Sequence, residues 1–140
     1  MRKLTTVLAV LCGLAGLGFG LTFLLNPHAA AGFGIDPWPT GNAAGYFVVK
    51  AVRDIAYGLT AFVLLARGHR RTLGWVVLID ALIPLGDGLA VATHGGSWAT
   101  ALSIHFSAAT LVLITAVLLL TEKGKAPEPA EAPRAHAGAL

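Results

Sequence analysis

The stretch LTTVLAVLCGLAGLGFGLTFLL, residues 4–25, contains 22 successive positions without Asp, Glu, Lys, Arg or His. A helix needs about 20 predominantly apolar residues to cross the hydrocarbon core of a bilayer. The apolar part of a cleaved signal peptide is shorter, about 7 to 15 residues. We therefore interpret residues 4–25 as a retained transmembrane helix.

Three further apolar blocks of similar length follow, at residues 45–66, 73–93 and 99–121. The whole chain of 140 residues is 56% hydrophobic and 12% charged, and that charged fraction is about half of what soluble domains carry. The sequence predicts an all-α fold, a four-helix transmembrane bundle formed by residues 1–121. The tail, residues 122–140, is rich in Pro, Ala and charge, and we expect it to be disordered.

The basic residues outside the blocks lie at alternate connections. They flank the start of the first block, the turn between the second and third, and the end of the fourth: Arg2, Lys3, Arg67, Arg70, Arg71, Lys123, Lys125 and Arg134. The positive-inside rule then predicts a multi-pass protein of the plasma (inner) membrane with both termini in the cytoplasm. The formal net charge of +3 is explained by the basic residues that orient the helices as they insert into the membrane. We therefore expect the lipid bilayer as a partner and no nucleic acid.

Small residues repeat along the first block, where Ala9, Gly13, Gly16 and Gly20 form two small-xxx-small steps. This spacing lets helix backbones approach closely. We favour a contact with another helix of the same chain, and a homodimer through this glycine-rich face is the alternative. The connection at residues 26–44 is either a lid over the bundle or, as is commoner, a solvated loop.

The second block is interrupted by charge in the sequence VVKAVRDIAYG, residues 48–58. On a helix, Lys50, Arg53, Asp54 and Tyr57 occupy an arc of about 100° and so face one way. A charge that faced lipid at mid-depth would cost about 2.5 to 3.5 kcal/mol on the insertion scale, and more on other estimates. We therefore expect this stripe to face the interior of the bundle.

The third block carries Asp80 and Asp87, which a regular helix would place about 20° apart. Pro84 lies between them, and we expect the helix to loosen at residues 85–88. From the rise of about 1.5 Å per residue, Asp87 and His105 reach the same outer layer as the charges of the second block, with Asp80 nearer the midplane.

Two cations and three carboxylates leave one negative charge over, unless His105 or one Asp takes up a proton. We assign roles on this basis. Candidate catalytic residues are Asp87, Asp80, His105 and Arg53; candidate substrate-binding residues are Lys50, Asp54 and Tyr57. A metal site from one His and two Asp would lack the HxxxH or ExxH spacing of known sites, so we expect neither a metal nor another cofactor.

The segments VKAVRDIAYGL and LGWVVLIDALIPLGDGLAV, followed by a later His, resemble an uncharacterised family of small four-span integral membrane proteins from bacteria and fungi. The RD pair and the two Asp around proline carry the resemblance. It implies four helices and draws attention to Arg53, Asp54, Asp80 and Asp87, and it implies no reaction.

Three functions fit these residues. The first is binding or acid–base conversion of a lipophilic small molecule by isomerisation, cyclisation or epoxide opening, in which Lys50 and Arg53 would hold an anion or a developing oxyanion. The second is a structural or accessory membrane subunit whose charges only form ion pairs. The third is a small proton-coupled transporter, although charges gathered in the outer half suit a one-sided pocket better than alternating access.

Overall fold

The computed structural model describes residues 2–26 and 32–122, and its regular structure within them is helical. The α-helices are α1 (Arg2–Leu25), α2 (Gly45–Ala66), α3 (Arg70–Asp80), α4 (Leu82–Thr93), α5 (Trp98–Thr100) and α6 (Ser107–Thr121). A short 3₁₀ helix, Gly41–Ala44, leads into α2, and a π-helical segment, Ala101–Phe106, joins α5 to α6. The expected all-α bundle of four helical rods is confirmed, with α3–α4 and α5–α6 each forming one rod.

Three of these rods are long and apolar enough to cross a membrane: residues 2–25, 70–93 and 98–121. The rod α2, with 22 residues, is also long enough to cross a membrane, but it carries Lys50, Arg53 and Asp54 within five positions. This cluster of charges, and not a short length, sets it apart from the other three rods. Residues 123–140, most of the predicted disordered tail, lie outside the described part of the chain.

The rod α3–α4 is interrupted at Ala81, between Asp80 and Leu82. The sequence predicted the disturbance at residues 85–88, and that position was wrong. Pro84 has no N–H to donate to the carbonyl of Asp80, and its ring crowds the turn that precedes it. The disturbance consequently falls on the N-terminal side of the proline.

The glycines of α1 pack against α2 of the same chain. A Cβ atom added at Gly20 would lie 2.7 Å from the carbonyl oxygen of Ala51, and one at Gly16 would lie 2.9 Å from that of Asp54. Gly58 on α2 makes the reciprocal approach to the carbonyl of Gly13. Because α2 occupies this face, a homodimer would need another surface, and dimerisation remains a prediction.

Two apolar clusters lie at opposite ends of the bundle. At the end where α1 begins and α6 ends, which we call the termini end, the cluster consists of Ala9, Ala61, Leu73, Val77, Ala116 and Leu119. At the opposite loop end, Phe23 and Ala51 are covered by Phe33, Trp38 and Phe47. Phe33 and Trp38 belong to the connection after α1, so this part packs onto the bundle and is not the solvated loop that the sequence favoured. The polar site lies between the two clusters.

Candidate functional site

Four charged side chains from two helices form one ion-paired cluster. Lys50 Nζ lies 2.8 Å from Asp54 Oδ2 and 3.1 Å from Asp87 Oδ2. Arg53 Nε lies 3.1 Å from Asp54 Oδ1, and Arg53 Nη2 lies 3.5 Å from Asp87 Oδ2. Two cations thus meet two carboxylates, and we call Lys50, Arg53, Asp54 and Asp87 the ion quartet.

The local helix geometry explains the quartet. Lys50 and Asp54 are four residues apart on α2, so they face each other across one turn. Asp87 comes from α4, beyond the break at Ala81, and joins them from the facing helix. The Asp54 side chain is 7% exposed and that of Arg53 is 42% exposed, so the quartet runs from the interior to the rim.

The Lys50 ammonium group also contacts two aromatic rings at the loop end. Its Nζ atom lies 5.1 Å from the ring centroid of Phe23 and 5.2 Å from that of Phe33. Both distances allow cation–π attraction. Two carboxylates and two rings therefore surround Lys50, which leaves this cation little capacity for an added anion.

A cavity of about 320 Å³ adjoins the quartet. Its lining residues include six of those that the sequence predicted: Lys50, Asp54, Tyr57, Asp80, Asp87 and His105. The rest of its wall is largely apolar and comes from α1, α4, the π-helical segment and α6. The structure thus brings six of the seven predicted site residues to one cavity, and the seventh, Arg53, reaches it through its ion pairs.

His105 lies in the π-helical segment and is not part of the quartet. Its Nε2 atom lies 2.8 Å from the carbonyl oxygen of Phe33, and the two rings meet edge to face with centroids 4.8 Å apart. A carbonyl oxygen only accepts, so Nε2 carries the hydrogen and donates it. In the neutral ring Nδ1 is then an acceptor, which leaves His105 able to take up a proton there.

Tyr57 and Asp80 form a different part of the wall. The Tyr57 hydroxyl is buried and makes no hydrogen bond of ordinary geometry to a described residue; the Cys12 thiol, a weak hydrogen-bonding group, lies beside it. Asp80 forms no ion pair with any described cation. The sequence count of three carboxylates against two cations therefore resolves into a balanced quartet and a separate, unpaired Asp80.

A second polar network, which no sequence pattern predicted, lies at the termini end. Arg70 holds Glu122 with two hydrogen bonds, from Nε to Oε2 at 2.5 Å and from Nη2 to Oε1 at 2.7 Å. Arg70 also donates to Thr5 and Thr6 of α1. The hydrogen bonds from Arg70 to Glu122 are the main reason why the pKa of the Glu122 carboxyl falls below its usual value of 4.5.

Sequence reasoning also missed Phe33 and the π-helical segment. Phe33 lies in a connection without periodicity, so no pattern indicated that its ring and carbonyl reach the cavity. Single π-helical turns often occur at functional sites, but residues 101–106 carry no distinguishing signal such as proline.

Within residues 2–26 and 32–122, no three His, Cys, Asp or Glu side chains are grouped so that they could hold a metal ion.

The fold and the cavity define a small α-helical protein of membrane type with a largely apolar cavity between its helices and ionisable groups on one wall of that cavity. The chain belongs to the family described as Domain of unknown function (DUF4267), whose model matches residues 13–119. The matched region includes the whole ion quartet, Tyr57, Asp80 and His105. Comparison with curated proteins and with solved structures found no match.

Proposed function

We propose that this chain is an integral membrane protein that binds a lipophilic small molecule in the cavity and converts it by acid–base chemistry. The observation that carries the proposal is a largely apolar cavity of about 320 Å³ with two ionisable groups that are not tightly held. Asp80 forms no ion pair with a described cation, and Tyr57 makes no hydrogen bond of ordinary geometry to a described residue. Cavities of this size with a few convergent polar groups are typical of small-molecule sites.

In this proposal Asp80 is the proton donor or acceptor, because no cation holds its carboxyl group in the ionised form. His105, with Nδ1 able to accept, is the second group that exchanges a proton. The quartet forms the adjacent wall and fixes α2 against α4. Isomerisation, cyclisation and epoxide opening suit these groups, since each needs an acid and a base.

A structural or accessory role is the second candidate, and the quartet favours it. Each of its four charges has a partner of opposite sign within 3.5 Å, so the quartet is complete without a ligand. In this alternative the cavity binds nothing specifically and the ion pairs only determine how α2 and α4 pack.

The proposal includes a membrane arrangement in which α2 crosses the bilayer with the other three rods. Both termini then lie in the cytoplasm of a cell whose plasma membrane holds the protein, as the basic residues near the helix ends indicate. The loop end, with Phe33 and the quartet, faces the opposite side.

The test is to identify what occupies the cavity. The protein is purified in detergent, extracted with organic solvent and analysed by mass spectrometry, beside the cavity-filling variant Ala108→Phe and the control Ala56→Phe. Ala108 lines the cavity, whereas Ala56 lies on the exposed side of α2. We expect one compound in wild type and control that is absent from Ala108→Phe, and its slow conversion by wild type but not by Asp80→Asn. Identical extracts from all three proteins would favour the structural alternative.

A further inference from the structure

The cavity reaches the surface of the bundle along one side. Six residues of its wall are exposed, and apart from Gly32 they come from two rods: Ala15, Phe19 and Thr22 on α1, and Ile104 and Leu111 on the rod Trp98–Thr121. Residues of α2 and α4 in the wall are buried or half-buried. The opening therefore lies between α1 and the rod of α6, and we call it the slot.

The slot extends from the middle of the bundle toward the loop end. Cys12 Sγ lies 3.7 Å from Thr115 Oγ1, so α1 and α6 meet at that level and close the lower edge. Thr22 and Ile104 mark the opposite edge, about ten residues along each helix. At about 1.5 Å per residue the slot is roughly 15 Å tall. Because both rods are of membrane-spanning length and composition, it faces hydrocarbon.

The charges at the wall indicate what kind of head group the cavity accepts. Lys50 and Arg53 are paired with Asp54 and Asp87, and no described cation is within ion-pair distance of Asp80. An anion brought into this cavity would lose its water without gaining a free cation, and that cost is large. This finding argues against the anion-holding role that the sequence suggested for Lys50 and Arg53.

The poorly satisfied hydroxyl of Tyr57 indicates what the cavity accepts instead of an anion. Its polar neighbour is the Cys12 thiol, a weak acceptor, and it makes no hydrogen bond of ordinary geometry, so a ligand oxygen that accepts its hydrogen would be stabilised there. Tyr57 is two helical turns from Lys50 along α2, toward the level of Cys12, and therefore lies at the lower part of the slot.

We propose that the ligand is an uncharged lipophile with a polar oxygen, such as an alcohol, ether, epoxide or ketone, that enters from the bilayer through the slot and accepts a hydrogen bond from Tyr57. This inference rests on the proposed function only in placing the ligand in the same cavity. It adds the route of entry, the charge of the head group and the residue that recognises it.

The experiment uses photolabelling in phosphatidylcholine nanodiscs. The probes are a long-chain primary alcohol with a diazirine beside its hydroxyl end, the matching carboxylic acid and the matching alkane. Residue-resolved mass spectrometry compares labelling at Cys12, which is 2% exposed, with labelling at the lipid-facing Leu14, which is 53% exposed. We expect the alcohol, but not the acid, to label Cys12 above the background set by a light-free sample.

Three variants separate the parts of the proposal. Ala15→Trp narrows the slot and should bring Cys12 labelling to background, while Ala56→Trp, on an exposed position outside the cavity, should leave it unchanged. Tyr57→Phe should lower Cys12 labelling by the alcohol about fivefold, the effect of one lost hydrogen bond, and leave labelling by the alkane unchanged.

Each contrary result overturns a stated part. No labelling of Cys12 in wild type, or an unchanged level in Ala15→Trp, would refute entry through the slot. Equal labelling by acid and alcohol would refute the uncharged head group, and an unaffected Tyr57→Phe would refute recognition by Tyr57. If labelling follows expectation but the wild-type protein converts nothing, the acid–base function fails while the binding inference stands.

Discussion

Asp87 and Asp80 lie on the same rod and line the same cavity, but they differ in what surrounds their carboxyl groups. Asp87 contacts both cations of the quartet, whereas Asp80 contacts neither. Both lie on one stripe of the rod, as the sequence predicted, but Asp80 is seven residues, about 10 Å, farther from the loop end. Lys50 and Arg53 therefore reach Asp87 and not Asp80.

This difference predicts unequal effects of substitution. Asp87→Asn leaves two cations facing one carboxylate, so we expect the free energy of unfolding to fall by about 3 kcal/mol, the lower end for breaking a buried ion pair. Asp80→Asn breaks no ion pair and should cost less than about 1 kcal/mol. Denaturant unfolding in detergent micelles measures both, and equal losses would show that Asp80 is part of the ion-paired structure.

Glu122 gives a prediction for pH. Its pKa is lowered in the folded protein by hydrogen bonds from Arg70, so its ionised form stabilises the fold. That contribution is fully present above the usual value of 4.5 and is lost as the pH falls through the lower folded pKa. We expect Glu122→Gln to lower the melting temperature at pH 7.

The same variant serves as its own control at low pH. As the pH falls below 4.5 and through the lowered pKa of Glu122, the difference in melting temperature between wild type and Glu122→Gln should shrink, because the wild-type carboxyl then becomes neutral as well. A difference that stays constant from pH 7 to strongly acidic solution would mean that the Arg70 pairing contributes nothing.

At the scale of helices, the close contact of α1 with α2 depends on glycines at particular positions. Gly20→Ala would place a methyl group 2.7 Å from the Ala51 carbonyl oxygen, so we expect a loss of about 1 to 3 kcal/mol, as in overpacked cores. Gly18→Ala is the matched control, because a Cβ there meets nothing within 4 Å. Gly18→Ala should be neutral or stabilising by up to about 1 kcal/mol. The free energy of unfolding is measured for both variants, and equal values would contradict the close contact at Gly20.

The extent of the helices could be predicted from the sequence because it follows from the length of the apolar blocks. The block at residues 45–66 and α2 share both ends, and the other three differ by at most three residues at either end. The π-helical segment and the position of the break could not be predicted. Both depend on how a helix adjusts to its neighbours, and the helical projection assumes a regular turn throughout.

For the molecule as a whole, membrane topology depends on whether α2 crosses the bilayer. Three rods have the length and apolar character of spans. The rod α2 is also long enough, and it can cross only with its charges turned into the bundle. The convergence of α2 with α4 could be predicted, because lipid-facing charges are too costly. The environment of His105 could not, since it depends on the carbonyl and ring of Phe33.

Reporter fusions test the crossing of α2. Alkaline phosphatase joined after Asn42 should be active, and the same reporter joined after His69 should be inactive, because α2 lies between the two points. Green fluorescent protein at the C-terminus should fluoresce if that end is cytoplasmic. A phosphatase that is active at both fusion points, or inactive at both, would show that α2 does not cross the bilayer.

The central claim is that charged groups of α2 and α4 meet inside the bundle, and a double-mutant cycle on Lys50 and Asp87 measures it most directly. Unfolding free energies of Lys50→Met, Asp87→Asn and the double variant should give a coupling of about 1 to 3 kcal/mol. In the parallel cycle of Lys50→Met with Asp80→Asn, the two losses of unfolding free energy should add to within about 0.5 kcal/mol. Additive effects for Lys50 and Asp87 would contradict the account, because the two side chains would then not be partners.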